Sequence, residues 1–324
     1  MTGIGSRATA IIEALVGRTG RRRRAAATLV VLGAFVSVDA TVIEPYRIEV
    51  SRHTISAGVE KPIVIAHLSD LHTHGLGRRE KTVIEILERE RPDVIVVTGD
   101  LVDEGDLEPA RPLFEKLHAP LGVWVVRGNW ENWMPPSNDR STLASFGATL
   151  LVNEGALLRR DIWLAGLDDP MSGIPDVDQA LRDAPPDATR IALFHSPAVF
   201  DRLAPRIDLA FAGHTHGGQV QLPLLGALWK PPGSGRYLAG WYSAPTDHSP
   251  HADRSGHTNH APNLDPSARA DRQAHADSVG HGERASGSIA SAQLFVSRGV
   301  GTSLLPVRFL CRPELAVITL RPRP

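Results

Sequence analysis

Apolar residues fall along this chain in two rhythms. Short, almost wholly apolar runs alternate with segments in which the apolar positions recur at helical spacing. Val94-Ile95-Val96-Val97-Thr98 is the clearest run: four β-branched aliphatic residues and a threonine, a composition suited to a strand covered on both faces. The same reading places strands at Ile48–Val50, Ile63–Leu68, Val123–Val126, near Thr149–Val152, at Ala156–Arg159, Ile162–Leu167, Arg190–Phe194, Leu209–Ala212 and Gln293–Val296, and near Val307–Leu310 and Leu315–Leu320. Arg79–Arg91 reads as a helix, because Val83, Ile84 and Leu87 share one face and Pro92 ends it. Shorter helices are expected at Pro109–His118, Ser141–Phe146 and Val177–Asp183, and after Pro197. Strand–helix alternation gives way to mainly strands, which predicts a layered α/β protein with two sheets packed face to face.

Two stretches break this pattern. Arg21 to Arg24 precede an apolar run, Ala25 to Val38, closed by Asp39 and extendable through Ala40-Thr41-Val42-Ile43. Three readings compete for residues 1–43: a single membrane anchor with its arginines on the cytoplasmic side, an export signal of twin-arginine type with a cleavage site at Val38-Asp39-Ala40, or a buried core helix. Four adjacent arginines weigh against the last. An anchor with arginines inside puts the rest of the chain on the extracytoplasmic side. The second stretch, 243–290, holds no aromatic residue after Tyr242, few long aliphatic ones and six of the fourteen histidines. It reads as a disordered, His-rich insertion between two strands, leaving residues 44–242 and 291–324 as the folded domain.

Charge sharpens the N-terminal reading. Residues 1–24 carry six arginines and one acid, a net of +5, so the remainder sums to −6 against a total of −1. That balance excludes a broad nucleic-acid surface. A single cysteine, Cys311, excludes an internal disulfide and reads as a small buried hydrophobe.

The chemistry sits where the apolar runs stop. Asp70 and His72 follow one run, Asp100 the next, then Asn129, His195, and finally His214 and His216. Strands that deliver polar side chains to the carboxyl edge of a sheet usually deliver them to a ligand. Oxygen and nitrogen donors without a thiolate suit manganese, iron or zinc. Seven side chains are too many for one ion, but two divalent ions sharing a bridging carboxylate use them all.

Ser69-Asp70-Leu71-His72, Gly99-Asp100-Leu101-Val102-Asp103, Gly128-Asn129, Phe194-His195-Ser196-Pro197 and Gly213-His214-Thr215-His216-Gly217-Gly218-Gln219, in that order, resemble the calcineurin-like metallophosphoesterases. Val296-Ser297-Arg298-Gly299-Val300-Gly301 through Pro313-Glu314 is similar to the membrane-associated bacterial branch, which includes phosphodiesterases and UDP-2,3-diacylglucosamine pyrophosphatases. The resemblance implies a four-layer sandwich of two mixed β-sheets flanked by helices. It implies one ion on Asp70, His72 and His216, another on Asn129, His195 and His214, and Asp100 between them. A hydroxide bridging the ions would then attack a phosphodiester or pyrophosphate bond. An N-terminal anchor would favour a lipid or other amphipathic phosphate as substrate; the rivals are soluble nucleotides, or a catalytically silent metal-binding module.

One position departs from that pattern. Trp130 stands where the family usually has the histidine credited with protonating the leaving group, and an indole N–H donates without titrating. Glu131 and His74 are the substitutes nearest in sequence, neither with a role assigned; Trp130 with Trp133 fits an apolar mouth. Asp103 reads as a loop-ordering partner, Arg298 as a surface cation and Asp168-Asp169-Pro170 as a turn.

Overall fold

The computed structural model describes residues 24–244 and 291–324. Arg21 to Arg23 and nearly all of the expected insertion, 245–290, lie outside the described residues. Strands β1 (Glu49–Ala57), β2 (Ile63–Leu68), β3 (Val94–Thr98), β4 (Val123–Val126) and β5 (Thr149–Leu150) come first in the chain. β6 (Glu154–Arg159), β7 (Ile162–Gly166), β8 (Thr189–Leu193) and β9 (Leu209–Ala212) follow, then the small hairpin β10 (Gln221–Leu222) and β11 (Gly226–Ala227), and then β12 (Gly240–Ser243), β13 (Gln293–Val296) and β14 (Glu314–Pro322). One sheet has the order β1-β14-β2-β3-β4-β5 and the other β12-β13-β9-β8-β7-β6. Both are mixed: β14 runs antiparallel to β2, β6 to β7 and β12 to β13, and the other pairs in these two sheets are parallel.

The period of two along β3 shows why the expected sandwich forms. Ile95 and Val97 join a core with Val83 and Leu87 of α1 (Arg78–Glu90) and Leu113 and Phe114 of α2 (Arg111–Phe114). Val94 and Val96 point the other way, into a core shared with Ile191, Leu193 and Phe211 of the second sheet. A third core lies on that sheet's far side, where Ala192, Ala210 and Leu294 meet Ala180 and Leu181 of α3 (Val177–Leu181) and Phe200 and Leu203 of α4 (Phe200–Leu203). A strand buried on both faces has no polar face, which is why it reads as a continuous apolar run.

The departures lie at edges. β1 runs far beyond the expected Ile48–Val50; it pairs on one side only, and its exposure alternates through Arg52, Thr54 and Ser56, so it carries no apolar run to detect. Ser243, expected to open the insertion, closes strand β12 opposite Gln293. Val307–Leu310 is not a strand: Phe309 makes a single bridge to Val220, and Arg308, fully buried in this stretch, gives its backbone N–H to Ala40. The apolar N-terminal segment forms a helix over Arg24–Tyr46 with only 6% of its apolar window buried, so it is not a core helix.

His67 lies between the sheets against Phe211 and Phe295, its Nε2 2.8 Å from Thr98 Oγ1. Burial pushes its pKa down to about 3. In the unfolded chain the same ring titrates near its ordinary value of about 6.5, so between those values the unfolded chain binds the extra proton, and stability is lost as pH falls from about 6.5 toward 3. Replacing His67 by Gln is expected to remove about 2 kcal/mol of the stability lost between about pH 7 and pH 5, read by urea denaturation at both values. An unchanged pH slope would refute the neutral buried imidazole.

Candidate metal centre

The ends of β2, β3, β4, β8 and β9 deliver all seven expected donors to one buried place. Asp70, His72, Asp100, Asn129, His195, His214 and His216 are each at most 5% exposed. His216 Nε2 lies 3.3 Å from Asp70 Oδ1 and 3.2 Å from His72 Nε2. His195 Nε2 lies 3.1 Å from Asp100 Oδ2, and His72 Nε2 lies 3.6 Å from the same oxygen. His214 Nδ1 is 2.9 Å from Asn129 Oδ1. Asp100 therefore stands between the His72 and His195 sides of the cluster, as the resemblance implies.

The outer nitrogens decide what the inner ones are for. His72 turns Nδ1 to Asp103 Oδ1 at 2.5 Å, His195 donates from Nδ1 to the Thr98 carbonyl at 2.6 Å, and His214 donates from Nε2 to the Pro232 carbonyl at 2.5 Å. An outer N–H bonded to a carboxylate or carbonyl leaves the inner nitrogen with a lone pair, the arrangement of a metal-ligating histidine. His195 Nε2 and His216 Nδ1 are buried without a hydrogen-bond partner among the described residues. Two triads, Asp70 with His72 and His216, and Asp70 with Asp100 and His195, bring their donor atoms within 4.8 Å of one another. Burial and the facing His72 push His216 well below its ordinary pKa. Burial raises Asp70; at Asp100 burial is the largest single influence, but the charge and hydrogen bond of His195, the charge of His72 and the Trp130 N–H together outweigh it and hold the carboxyl at about 2. The carboxylates beside them, Asp103 at His72 and Asp100 at His195, raise both imidazoles despite burial, so a proton takes the inner lone pair when no cation does. Lone pairs and carboxylates packed this closely fit divalent cations.

The backbone is strained to aim these groups. Asp70, His72, Asp100, His214 and His216 all have positive φ, between 41° and 71°, in a region that disfavours L-residues. Glu131 holds the Asp100 turn: its carboxylate accepts the N–H groups of Asp100, Leu101 and Gly128 at 2.7–2.9 Å. It is thus fully engaged and buried, which corrects its candidacy as a substitute proton donor. His74 is 78% exposed in its side chain and pairs with Asp103 Oδ2 at 3.3 Å, away from the donor cluster. Arg298 is not a free surface cation but half-buried, paired with Glu314 at 3.2 Å and Glu49 at 3.4 Å.

Two buried charges escaped the sequence reading. Asp169 is not merely a turn residue: its Oδ1 accepts Ser196 N–H and O–H, and its Oδ2 accepts Ser172, which fixes the loop after His195. Arg308 donates to the carbonyls of Arg298, Gly301 and Cys311, tying the C-terminal loop behind His216. No local spacing in the sequence marks either of them. Cys311 is buried as expected, though in a loop, its thiol toward the His216 carbonyl at 3.3 Å.

A four-layer α/β sandwich that closes strand ends around buried aspartates and histidines defines a metal-dependent phosphoesterase. Residues 63–218 match the model of the calcineurin-like phosphoesterases. It is 29% identical over 298 residues to the uncharacterized metallophosphoesterase YkuE of Bacillus subtilis, covering 87% of this chain and 88% of that one. It is 25% identical to phosphodiesterase YaeI of Escherichia coli, over 86% of this chain and 90% of that one. A Bos taurus transmembrane protein with metallophosphoesterase domain is 32% identical over 53% of this chain and 44% of its own length.

Gly128 has ordinary extended dihedrals, φ −99° and ψ −172°, so alanine strains nothing locally. Yet a Cβ there would lie 2.2 Å from Asp100 Oδ1. Gly128→Ala is expected to displace that carboxylate and lower metal-dependent phosphoesterase activity by about 10²-fold or more. The Cβ would also lie 2.5 Å from the Asp100 backbone nitrogen, so the turn itself must shift and the melting temperature should fall as well; unchanged activity would show that Asp100 need not hold this position.

Proposed function

We propose that this protein hydrolyses phosphodiester or pyrophosphate bonds of an amphipathic substrate at a membrane, using two divalent ions, manganese, iron or zinc. The carrying observation is the convergence of buried imidazoles and carboxylates, with the outer nitrogens of His72, His195 and His214 already committed. Asp70, His72 and His216 would hold one ion and Asn129, His195 and His214 the other, with Asp100 between. Bound there, such ions supply Lewis acidity toward phosphoryl oxygens and lower the pKa of water. The protein's own part is orientation. Asp103, the Thr98 carbonyl and the Pro232 carbonyl fix three imidazole tautomers, and Glu131 and Asp169 fix the loops that carry Asp100 and His195.

The cleft over the cluster supports the choice of substrate. About 420 Å³ in volume, it is walled by Trp130, Trp133, Met171, Trp229, Pro231 and Leu304. Such a mouth suits an apolar substituent better than a sugar and base. It also lacks a proton donor: of its lining residues, those that titrate all belong to the donor cluster. Trp130 adds only an indole, edge-on to His72 at 6.0 Å between ring centroids. A leaving group must then depart as an anion, which favours acidic leaving groups such as phosphates over plain alcohols.

The anchor reading of the N-terminus draws support from packing. Ala40 is buried, its carbonyl accepts Arg308 N–H at 2.9 Å, and the buried Glu44 carboxylate accepts Leu310 N–H at 3.0 Å and Cys311 N–H. Cleavage after Ala40 would remove the Ala40 contact and leave the Glu44 contacts close to a new N-terminus. On the anchor reading the helix stays attached, and arginines on the cytoplasmic side put the domain on the extracytoplasmic side. Intact-mass analysis of protein purified from membranes should find residues 1–43 retained; a mature chain starting at Thr41 would refute the anchor.

Hydrolysis of an activated aryl phosphodiester with added manganese tests the chemistry. Activity should fall to background in Asp100→Asn. In Asp103→Asn, metal affinity should drop about 10–100-fold, as titration calorimetry reads it, because His72 loses its orienting carboxylate. Two metals bound with no turnover of aryl, lipid, nucleotide or sugar phosphates would show a silent binding module instead.

A further inference from the structure

Several large apolar side chains stand in solvent at loop tips around the cleft. Leu224 and Leu225 crown the β10–β11 hairpin at 105% and 76% exposure, followed by Leu228 and Trp229 at 60% and 57%. Leu304 and Leu305 crown the C-terminal loop at 78% and 66%. Leu224 and Leu304 are also held at φ 69° and 62°, a left-handed conformation that a turn fills more easily with glycine or asparagine. Backbone strain and apolar exposure thus coincide at the same two tips. Trp229 and Leu304 wall the same cleft, and large apolar side chains exposed together in this way mark an interaction site.

The two tips form one unit with both the metal centre and the N-terminal helix. Gln219, three residues after His216, accepts Ser303 N–H at 2.6 Å and donates to the Ser303 carbonyl at 3.2 Å. Phe309 exchanges backbone hydrogen bonds with Gln219 and Gln221, both 2.9 Å. The same loop receives the end of the apolar helix, through Ala40 to Arg308 and Glu44 to Leu310 and Cys311. Loop 302–306 separates two hollows. Thr302 and Pro306 line a groove of about 740 Å³ with Val42 and Tyr46 of the helix and with His72. Ser303 and Leu304 line the cleft over the donor cluster.

We propose that Leu224, Leu225, Leu304 and Leu305 insert into the interface of the bilayer from which the helix emerges, so that the catalytic cleft is held open toward the membrane surface. The occupant is a lipid surface, because the loop that carries Leu304 and Leu305 shares a groove, through Thr302 and Pro306, with Val42 and Tyr46 of an apolar helix whose apolar window is 6% buried. Loop tips bearing leucine and tryptophan beside such a helix are placed at the depth where apolar and headgroup regions meet. This deepens the membrane reading above and rests on it: the substrate becomes a phosphorylated lipid presented from the same leaflet, with its apolar part against Trp229 and Leu304.

The full chain, reconstituted in phosphatidylethanolamine–phosphatidylglycerol vesicles doped with doxyl-labelled phosphatidylcholine, tests this without reference to activity. Single cysteines replace Leu224 or Leu304 and carry a bimane; Leu157, 53% exposed on the edge strand β6, is the reference, and Cys311 is buried and spared by the label. Bimane at Leu224→Cys and Leu304→Cys is expected to be quenched by shallow doxyl groups at least about twofold more than at Leu157→Cys. Vesicle-bound protein with equal quenching at all three positions overturns the docking and leaves the anchor standing. Blue-shifted emission without lipid quenching assigns the face to a second copy of the chain and also overturns it. A chain that does not float with the vesicles overturns docking and anchor together. As a second readout, Leu224→Ser/Leu225→Ser should lose turnover of a vesicle-borne phospholipid diester severalfold while keeping turnover of a soluble aryl diester; equal loss on both would count against the proposal.

Discussion

Inner lone pairs of the histidines and the carboxylates of Asp70 and Asp100 face one another across 3.1–3.9 Å in a buried space. Groups of this kind repel unless a proton or a cation lies between them. Most of the surrounding architecture holds them there. Parallel strands supply rigid ends, because buried apolar strands do not shift register without turning their core faces outward. The turns that follow are forced into left-handed dihedrals, and Glu131 and Asp169 give those turns the hydrogen bonds that make the strain tolerable. Rigidity and strain have one function here: to keep like-charged donors close before the cation arrives.

Much of this was legible in the sequence. The doubly buried strands announce themselves, since β2, β3, β8 and β9 have no polar face to interrupt the run. The donors were legible because each lies within a few residues of such a run, and all but His72 stand next to a glycine or serine. What the sequence hid were partners distant along the chain. Asp169 reaches Ser196 and Glu44 reaches Leu310 and Cys311, and no local rhythm marks either pairing. Edge strands were hidden for a different reason: β1 needs an apolar face toward one side only, and its alternation is diluted by polar residues that pack against nothing. Val307–Leu310 looked like a strand because three of its four residues are apolar, but Leu310 points out and Arg308 points in.

That inversion at Arg308 shows how the C-terminal loop is organised. Burying a guanidinium without a carboxylate partner is unfavourable, and burial pulls the Arg308 pKa down to about 10. The side chain is nevertheless satisfied, because its planar fork meets carbonyls of Arg298, Gly301 and Cys311 that no strand or helix uses. An apolar residue of similar volume would leave those carbonyls without donors inside the protein, so the charge is the smaller penalty. Arginine here does what a helix or sheet does elsewhere, giving an irregular segment a fixed course.

That course matters because the segment borders three things at once. One side backs the His216 loop through Cys311, another receives Ala40 and Glu44 from the apolar helix, and its tip carries Leu304 to the mouth of the cleft. A flexible linker between helix and domain would let the cleft point anywhere relative to the helix axis. Hydrogen bonds from Glu44 and Ala40 to the loop allow no such freedom, and a carboxylate buried for this purpose would be costly to leave unpaired. The orientation of the catalytic cleft is therefore a property of the fold itself, set by the same few backbone contacts that complete the core behind His216.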